Sequence, residues 1–207
     1  MLNSEGFDLW ADGYDRSVGL SDEDNSYPFA GYKKLLNEIY RKVLTVPNAR
    51  VLDIGFGTGT LTAKLYEQGC RIWGQDFSAR MVALAQEKMP DAVLVQGDFS
   101  HGLANQLNGQ TYDFIIATYS LHHLADEGKV RFIRELLPLL HKGGKLLIGD
   151  VAFETRAQLE GCREACGDEW DEDEIYFVYD ELSPAFDPKP TFRKISHCAG
   201  ILTFTAE

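Results

Sequence analysis

Five short runs, each almost unbroken in apolar residues, recur along this chain with helical patterns between them. They are "RVLDI" (50 to 54), "CRIWGQD" (70 to 76), "AVLVQGD" (92 to 98), "YDFIIATYS" (112 to 120) and "KLLIGDV" (145 to 151). Strands apolar on both faces belong to a parallel sheet covered by helices on either side. The expected fold is therefore α/β, a doubly wound, Rossmann-like sheet. The rhythm breaks at the end, where "TFRKISHCAG" and "ILTFTAE" follow one another with no room for a helix. They predict a C-terminal antiparallel hairpin at one sheet edge, making the sheet mostly rather than wholly parallel.

The intervening helices carry their own signals. "GYKKLLNEIYRKVL" (31 to 44) sets Tyr32, Leu35, Leu36, Ile39, Tyr40 and Val43 on one face, and Pro47 closes it. Thr60 to Gln68 is stopped by Gly69, and "SARMVALAQEKM" starts from Ser78 as N-cap, with Pro90 beyond its end. A further helix is expected from about Glu127 to His141, burying Val130, Ile133, Leu137 and Leu140 and ending at Gly143 and Gly144.

With 207 residues, no internal repeat and no low-complexity linker, one domain is expected over 1–207. Three parts are expected within it: an N-terminal segment and helix (1–45), a core of alternating strands and helices (46–151), and a last segment with the terminal hairpin (152–207). No 18-residue apolar run and no signal-peptide pattern appears, so a cytoplasmic protein with no membrane partner is expected. Cys70, Cys162, Cys166 and Cys198 form no C-x-x-C pair and read as free thiols. A net charge of −12 argues against a nucleic-acid partner, whose phosphates need Lys and Arg, and favours a small molecule. The densest acidic run, "GDEWDEDE" (167 to 174), reads as a solvated loop, with recognition of a cationic substrate as the sharper alternative.

The sharpest motif is "VLDIGFGTGTL" (51 to 61). A glycine-rich turn from the first strand into a helix lies at the carboxyl end of the sheet, where open α/β folds bind ligands. Gly55, Gly57 and Gly59 are spaced G-x-G-x-G, whereas the dinucleotide fingerprint G-x-G-x-x-G would need a glycine where Thr60 stands. Asp53, two residues before the first glycine, would repel a pyrophosphate and suit a cation or an amine. These features disfavour NAD. Asp76 ends the second strand 21 residues after Gly55, a spacing suited to accepting from ribose hydroxyls. Asp98 ends the third strand, where it either accepts from an exocyclic amine or merely caps the next helix. Phe77 and Phe99 follow these acids and offer faces for a flat base.

These segments, with "GQDFSARMVALAQEK", "QGDFS", "YDFIIATYSLHHL" and "LLHKGGKLLIGDV", resemble the class I S-adenosylmethionine-dependent methyltransferases, particularly small uncharacterised bacterial ones. The resemblance covers about residues 7 to 151, and the terminal hairpin is similar to that family's reversed seventh strand. It implies S-adenosyl-L-methionine as cofactor and S-adenosyl-L-homocysteine as product. Asp53 and the Gly55–Gly59 turn would then lie near the methionine part, Asp76 at the ribose, Asp98 and Phe99 at the adenine, and Phe77 on the base. The N-terminal "FDLWADGYD" resembles a lid segment, making Trp10 and Tyr14 candidates to close over the cofactor or simply to dock a terminal helix. Phe56 is a departure, bulky where the family more often has a small residue. In that family an insertion after Phe153 commonly shapes the acceptor pocket, which would make 152–207 an acceptor-shaping segment, with core packing of its aromatic cluster of Trp170, Tyr176, Phe177 and Tyr179 as the alternative. The segment is also similar to a group of uncharacterised methyltransferases linked to methionine and cysteine recycling in Gram-positive bacteria, which suggests a small metabolic acceptor.

Methyl transfer needs alignment more than acid–base chemistry. His122 and His123 in "SLHHL" follow the fourth strand and are candidates for a base if the acceptor carries a proton, against the plainer reading of both as structural. Tyr119 and Ser120 at the same strand end are expected to line the cofactor's methionine side. His101, His141 and His197 read as peripheral, and no metal is expected. Two alternatives stand beside methyl transfer. One is a non-catalytic protein that binds the cofactor. The other is an aminopropyl transferase, which would rely on acids after the fourth strand, where this chain has only Asp126 and Glu127.

Overall fold

The computed structural model describes residues 26–207. Trp10 and Tyr14 lie outside the described residues. From Tyr32 the chain runs α1 (Tyr32–Val43), β1 (Arg50–Ile54), α2 (Thr60–Glu67), β2 (Arg71–Asp76), α3 (Ala79–Lys88), β3 (Val93–Gln96) and β4 (Tyr112–Thr118). It continues through α4 (Asp126–Leu136), β5 (Leu140–Phe153), α5 (Arg156–Cys166), β6 (Phe177–Val178), α6 (Tyr179–Leu182), β7 (Thr191–Lys194) and β8 (Ala199–Thr205). The sheet order is β3-β2-β1-β4-β5-β8-β7, and β6 pairs in parallel with the end of β5. All pairs from β3 to β5 are parallel, and β8 runs antiparallel to both β5 and β7. The expected C-terminal hairpin is thus present, with β7 on the edge.

Alternation along the strands divides the core into two layers. Val51, Phe114, Ile116, Leu147 and Val151 pack with α1, α2, α3 and α5, whereas Leu52, Ile54, Ile115, Leu146 and Ile148 pack with α4. Helix α1 buries Leu35, Ile39 and Val43, the centre of its apolar stripe, and Ser78 caps α3 by accepting from the Met81 N–H.

The fourth helix departs from expectation. It ends at Leu136, passes through a 3-10 turn at Leu137–Leu139, and gives way to β5 at Leu140. Pro138 brings no N–H to continue the helical ladder, so the α-helix stops there rather than at the glycines. Gly143 and Gly144 lie within β5, and Leu140 pairs with Tyr112 of β4. The helix buries Lys129, Phe132, Ile133 and Leu136; of the expected set Ile133 is buried there, Leu140 is buried in β5 instead, and Val130 and Leu137 pack at the margin of the core.

Strand order reverses between β1 and β4, the place where an open sheet leaves a crevice beyond its carboxyl ends. Both flanking loops are anchored to the sheet. The Gly55 N–H donates to the Gln75 carbonyl (2.7 Å), and the Ser120 hydroxyl donates to the Ile54 carbonyl (2.8 Å).

Candidate active site

A cleft open to solvent lies at this reversal. Asp53, Gly55, Gly57, Asp76, Phe77, Asp98, Phe99, Tyr119, Ser120 and His123 all line it. Of the sequence candidates in the described residues, Gly59 and His122 do not.

The glycine turn is shaped by close approach. Gly55, Gly57 and Gly59 have φ of +71°, +56° and +77°, in the left-handed region that glycine adopts without a Cβ penalty. A Cβ on Gly55 would stand 2.4 Å from Ser120 Cβ, so the turn sits directly against the end of β4. Gly59 instead faces α3, where a Cβ would meet Met89 Cε at 3.1 Å. Phe56 fits because its ring packs over Gly74 of β2, which has no side chain to obstruct it.

Asp53, 1% exposed, has two unlike oxygens. Oδ2 accepts from the Thr62 hydroxyl of α2, while Oδ1 has no hydrogen-bond partner among the described residues. Burial, with the neighbouring charge of Asp76 adding, pushes its carboxyl up to about 7. Asp76 accepts from the Gly57 N–H at Oδ2 (2.8 Å) and from the Ser78 N–H at Oδ1 (2.9 Å). It ties the glycine turn to the start of α3 and, with two lone pairs per oxygen, keeps capacity for a ligand. Asp98 accepts from the Ser100 N–H (2.8 Å) and so does cap the short turn after β3, while also lining the cleft. Phe99 stacks on Phe132 of α4, ring centroids 5.9 Å apart.

Tyr119 takes a left-handed backbone (φ 49°), uncommon for a bulky residue, and packs against Phe29 and Tyr32. Tyr32 and Leu36 of α1 line the cleft as well, as do Thr58, Thr60, Met81 and Leu124. Sequence reasoning missed them. In α1 the apolar stripe holds six residues, and nothing in its period separates the three that enter the core from those at its margin.

The two histidines part company. His122 Nδ1 lies 2.6 Å from Oδ1 of the fully buried Asp150, and His123 Nδ1 lies 2.9 Å from Glu174 Oε2. Burial pulls His122 down, but the charge and hydrogen bond of Asp150, aided by Glu174, outweigh it and hold the imidazole above its ordinary value. For Glu174 burial works upward, and the two histidines win in holding it below the usual carboxylate range. In the acidic run only Glu174 turns inward; its other carboxylates stay exposed. Trp170, Tyr176 and Phe177 are packed together or into the core. His101, His141 and His197 are exposed, and the four cysteines are free thiols. Asp126 and Glu127 do not line the cleft.

Comparison with known proteins fits this geometry. Residues 51–144 match the model of a methyltransferase domain. An uncharacterised methyltransferase of Geobacillus sp. (strain WCH70) is 43% identical over 151 residues, covering 72% of this chain and 68% of the relative. The chain belongs to the class I S-adenosylmethionine-dependent methyltransferases. An uncharacterised methyltransferase of Anoxybacillus flavithermus is 40% identical over 154 residues, covering 74% of this methyltransferase and 69% of the relative. Among solved structures, the complex of DhpI with S-adenosylhomocysteine superposes with a TM-score of 0.71 at 17% identity, covering 99% of this chain and 95% of that one. Magnesium protoporphyrin IX methyltransferase from Synechocystis PCC 6803, with the same bound product, gives 0.67 at 18% identity over 86% and 85%. At such identities the two structures establish the shared fold. No helix among the described residues of the methyltransferase is long and apolar enough to cross a membrane.

Proposed function

We propose that the chain, acting as one domain, transfers the methyl group of S-adenosylmethionine to a small-molecule acceptor in this cleft. One observation carries the reading: Asp53, a residue of the cleft wall beside the glycine turn, has a buried Oδ1 with no hydrogen-bond partner among the described residues. A buried polar atom without a partner is costly, and an ammonium group such as that of the methionine portion supplies the missing donor. The other residues fit the same ligand. Gly55 and Gly57 leave the turn open to close approach, Asp76 retains acceptor capacity for ribose hydroxyls, and Phe77, Asp98 and Phe99 offer flat faces and an acceptor for adenine.

Bound there, the cofactor supplies an electrophilic methyl group on a sulfonium. The work left to the chain is alignment and exclusion of water. Tyr119 and Ser120 close the β4 side of the cleft beside the glycine turn, and Tyr32 and Leu36 add an apolar wall from α1. No base is assigned, because His122 is held by Asp150 and His123 by Glu174. The resemblance to uncharacterised methyltransferases linked to methionine and cysteine recycling makes small metabolites the first acceptors to screen.

Calorimetric titration with S-adenosylmethionine, S-adenosylhomocysteine and NAD tests the reading. Micromolar binding of the two sulfur ligands without NAD supports it, and no binding of either sulfur ligand overturns it. Tight binding with no turnover across a broad acceptor screen would favour a binding protein instead.

A further inference from the structure

We propose that His122, His123 and Glu174 form a binding site for one divalent transition-metal ion, of which zinc is the type, at the edge of the cleft. The inference departs from the expectation of no metal and does not depend on the cofactor reading. The three side chains bring ligand atoms to within 4.8 Å of one another. Glu174 Oε2 lies 2.9 Å from His123 Nδ1 and 3.8 Å from His122 Nε2. A tetrahedral ion with ligands at about 2.0–2.2 Å spaces neighbouring ligand atoms by roughly 3.4 Å, between those two separations. Small rotations of the side chains would therefore accommodate the ion without movement of the backbone.

Glu174 is held in place by its neighbours. The Ile175 N–H donates to the His122 carbonyl (2.9 Å), and the buried Lys129 ammonium donates to the Ile175 carbonyl (2.6 Å) and to Asp126. The acidic segment is thus pinned to the turn after β4 at the residue that meets both histidines.

The carboxylate behind His122 supplies an independent observation. Asp150 is wholly buried, its Oδ1 lies 2.6 Å from His122 Nδ1, and its Oδ2 has no partner among the described residues. A carboxylate on Nδ1 holds the proton there and leaves Nε2 as a lone pair, the usual support of a metal-binding histidine. The Nε2 atom faces the Glu174 carboxylate at 3.8 Å, and an ion would lie between them. Two imidazoles and one carboxylate favour zinc-like ions over magnesium and leave positions for water or a ligand. His123 lines the cleft, so those positions adjoin it.

The test is titration of metal-depleted full-length protein with Zn2+ by calorimetry and with Co2+ by visible absorption. Binding of one ion per chain at micromolar affinity or tighter, with the intense cobalt spectrum of a four- or five-coordinate site, is expected. Glu174→Gln and His122→Ala should each weaken binding at least tenfold, and Asp150→Asn tenfold to a hundredfold, while His101→Ala and His141→Ala leave it unchanged. Failure of the wild-type chain to bind, or binding indifferent to Glu174→Gln and His122→Ala, would overturn the site and leave a hydrogen-bonded network. Should the variants fail to fold, X-ray absorption of the zinc-loaded wild type decides: a shell with two imidazoles supports the site, and an all-oxygen or sulfur-containing shell refutes it. Titration with S-adenosylhomocysteine on the same metal-free sample reports the cofactor reading separately.

Discussion

The ring of Phe56 occupies the space that a side chain on Gly74 would require: a Cβ there would lie 2.6 Å from Phe56 Cδ1 and 2.9 Å from Cε1. The two residues stand on different elements, one in the glycine turn and one in the middle of β2. Their fit lets a bulky residue sit inside the glycine turn that lines the cleft.

Gly74→Ala should accordingly push the ring out of place and strain the turn. Overpacking of this kind costs about 1–3 kcal/mol. Urea denaturation of Gly74→Ala, Phe56→Ala and the double variant would measure the coupling. The double variant is expected to be more stable than the sum of the single losses implies, and strict additivity would show that the contact carries nothing.

Gly55 and Gly57 should respond differently to alanine although both have positive φ. At Gly57 a Cβ meets nothing within 4 Å, so only the backbone penalty of about 1–2 kcal/mol applies. At Gly55 the same penalty is joined by a collision with Ser120 Cβ at 2.4 Å. Gly55→Ala should therefore be the less stable variant and lose more than tenfold in S-adenosylhomocysteine affinity. Equal behaviour of the two in denaturation and calorimetry would contradict the close approach of the turn to β4.

Where residue patterns answered to one local cause, the sequence was readable. The strand runs, the Ser78 cap and the terminal hairpin are such cases, and the acids at the ends of β1, β2 and β3 converge because a parallel sheet aligns its carboxyl ends. The α4 boundary was misplaced because Gly143 and Gly144 look like a helix stop, while Pro138 in fact ends the ladder and lets Leu140 pair with Tyr112. Glu174 was hidden for another reason. Within a run of like charges nothing local marks the one residue that a backbone hydrogen bond to His122 turns inward.

Asp76 holds the turn as well as facing the cleft. Asp76→Ala leaves the Gly57 and Ser78 N–H groups without their acceptor, and hydrogen bonds to a charged group contribute about 1.5–3 kcal/mol each. Both stability and cofactor affinity should fall, the latter by more than tenfold. Unchanged affinity in a folded variant would remove Asp76 from the site.

The thiols should be slow to react. Burial pushes Cys162 up to about 12, with Cys166 adding, and Cys198 up to about 11, and it raises Cys70 as well. The thiolate is the reactive form, so at pH 7.5 these three should be alkylated far more slowly than free cysteine. Peptide mapping after a short exposure to iodoacetamide should find label mainly on the half-exposed Cys166, and rapid labelling of Cys198 would contradict its burial.

Asp53 should make the free protein more stable in mild acid than this group's ionisation at neutral pH allows. Its carboxyl titrates near 3.8 when unfolded and about 7 when buried. Between those values the folded state holds a proton that the unfolded state has released, so stability falls as pH rises through the window and levels off above it. A shift of this size is worth on the order of 4 kcal/mol. Asp53→Asn removes the titration, so the stability of wild type relative to the variant should decline from pH 4 to pH 7, as urea denaturation across that range would show. The same carboxyl links protons to the ligand. A cation at Oδ1 favours the ionised form, so binding of S-adenosylmethionine at pH 6 to 6.5 should release up to one proton. Calorimetry in two buffers of different ionisation enthalpy counts it, and the count should vanish in Asp53→Asn. A wild-type titration with no proton release at that pH would mean that the ligand's charge does not meet Asp53.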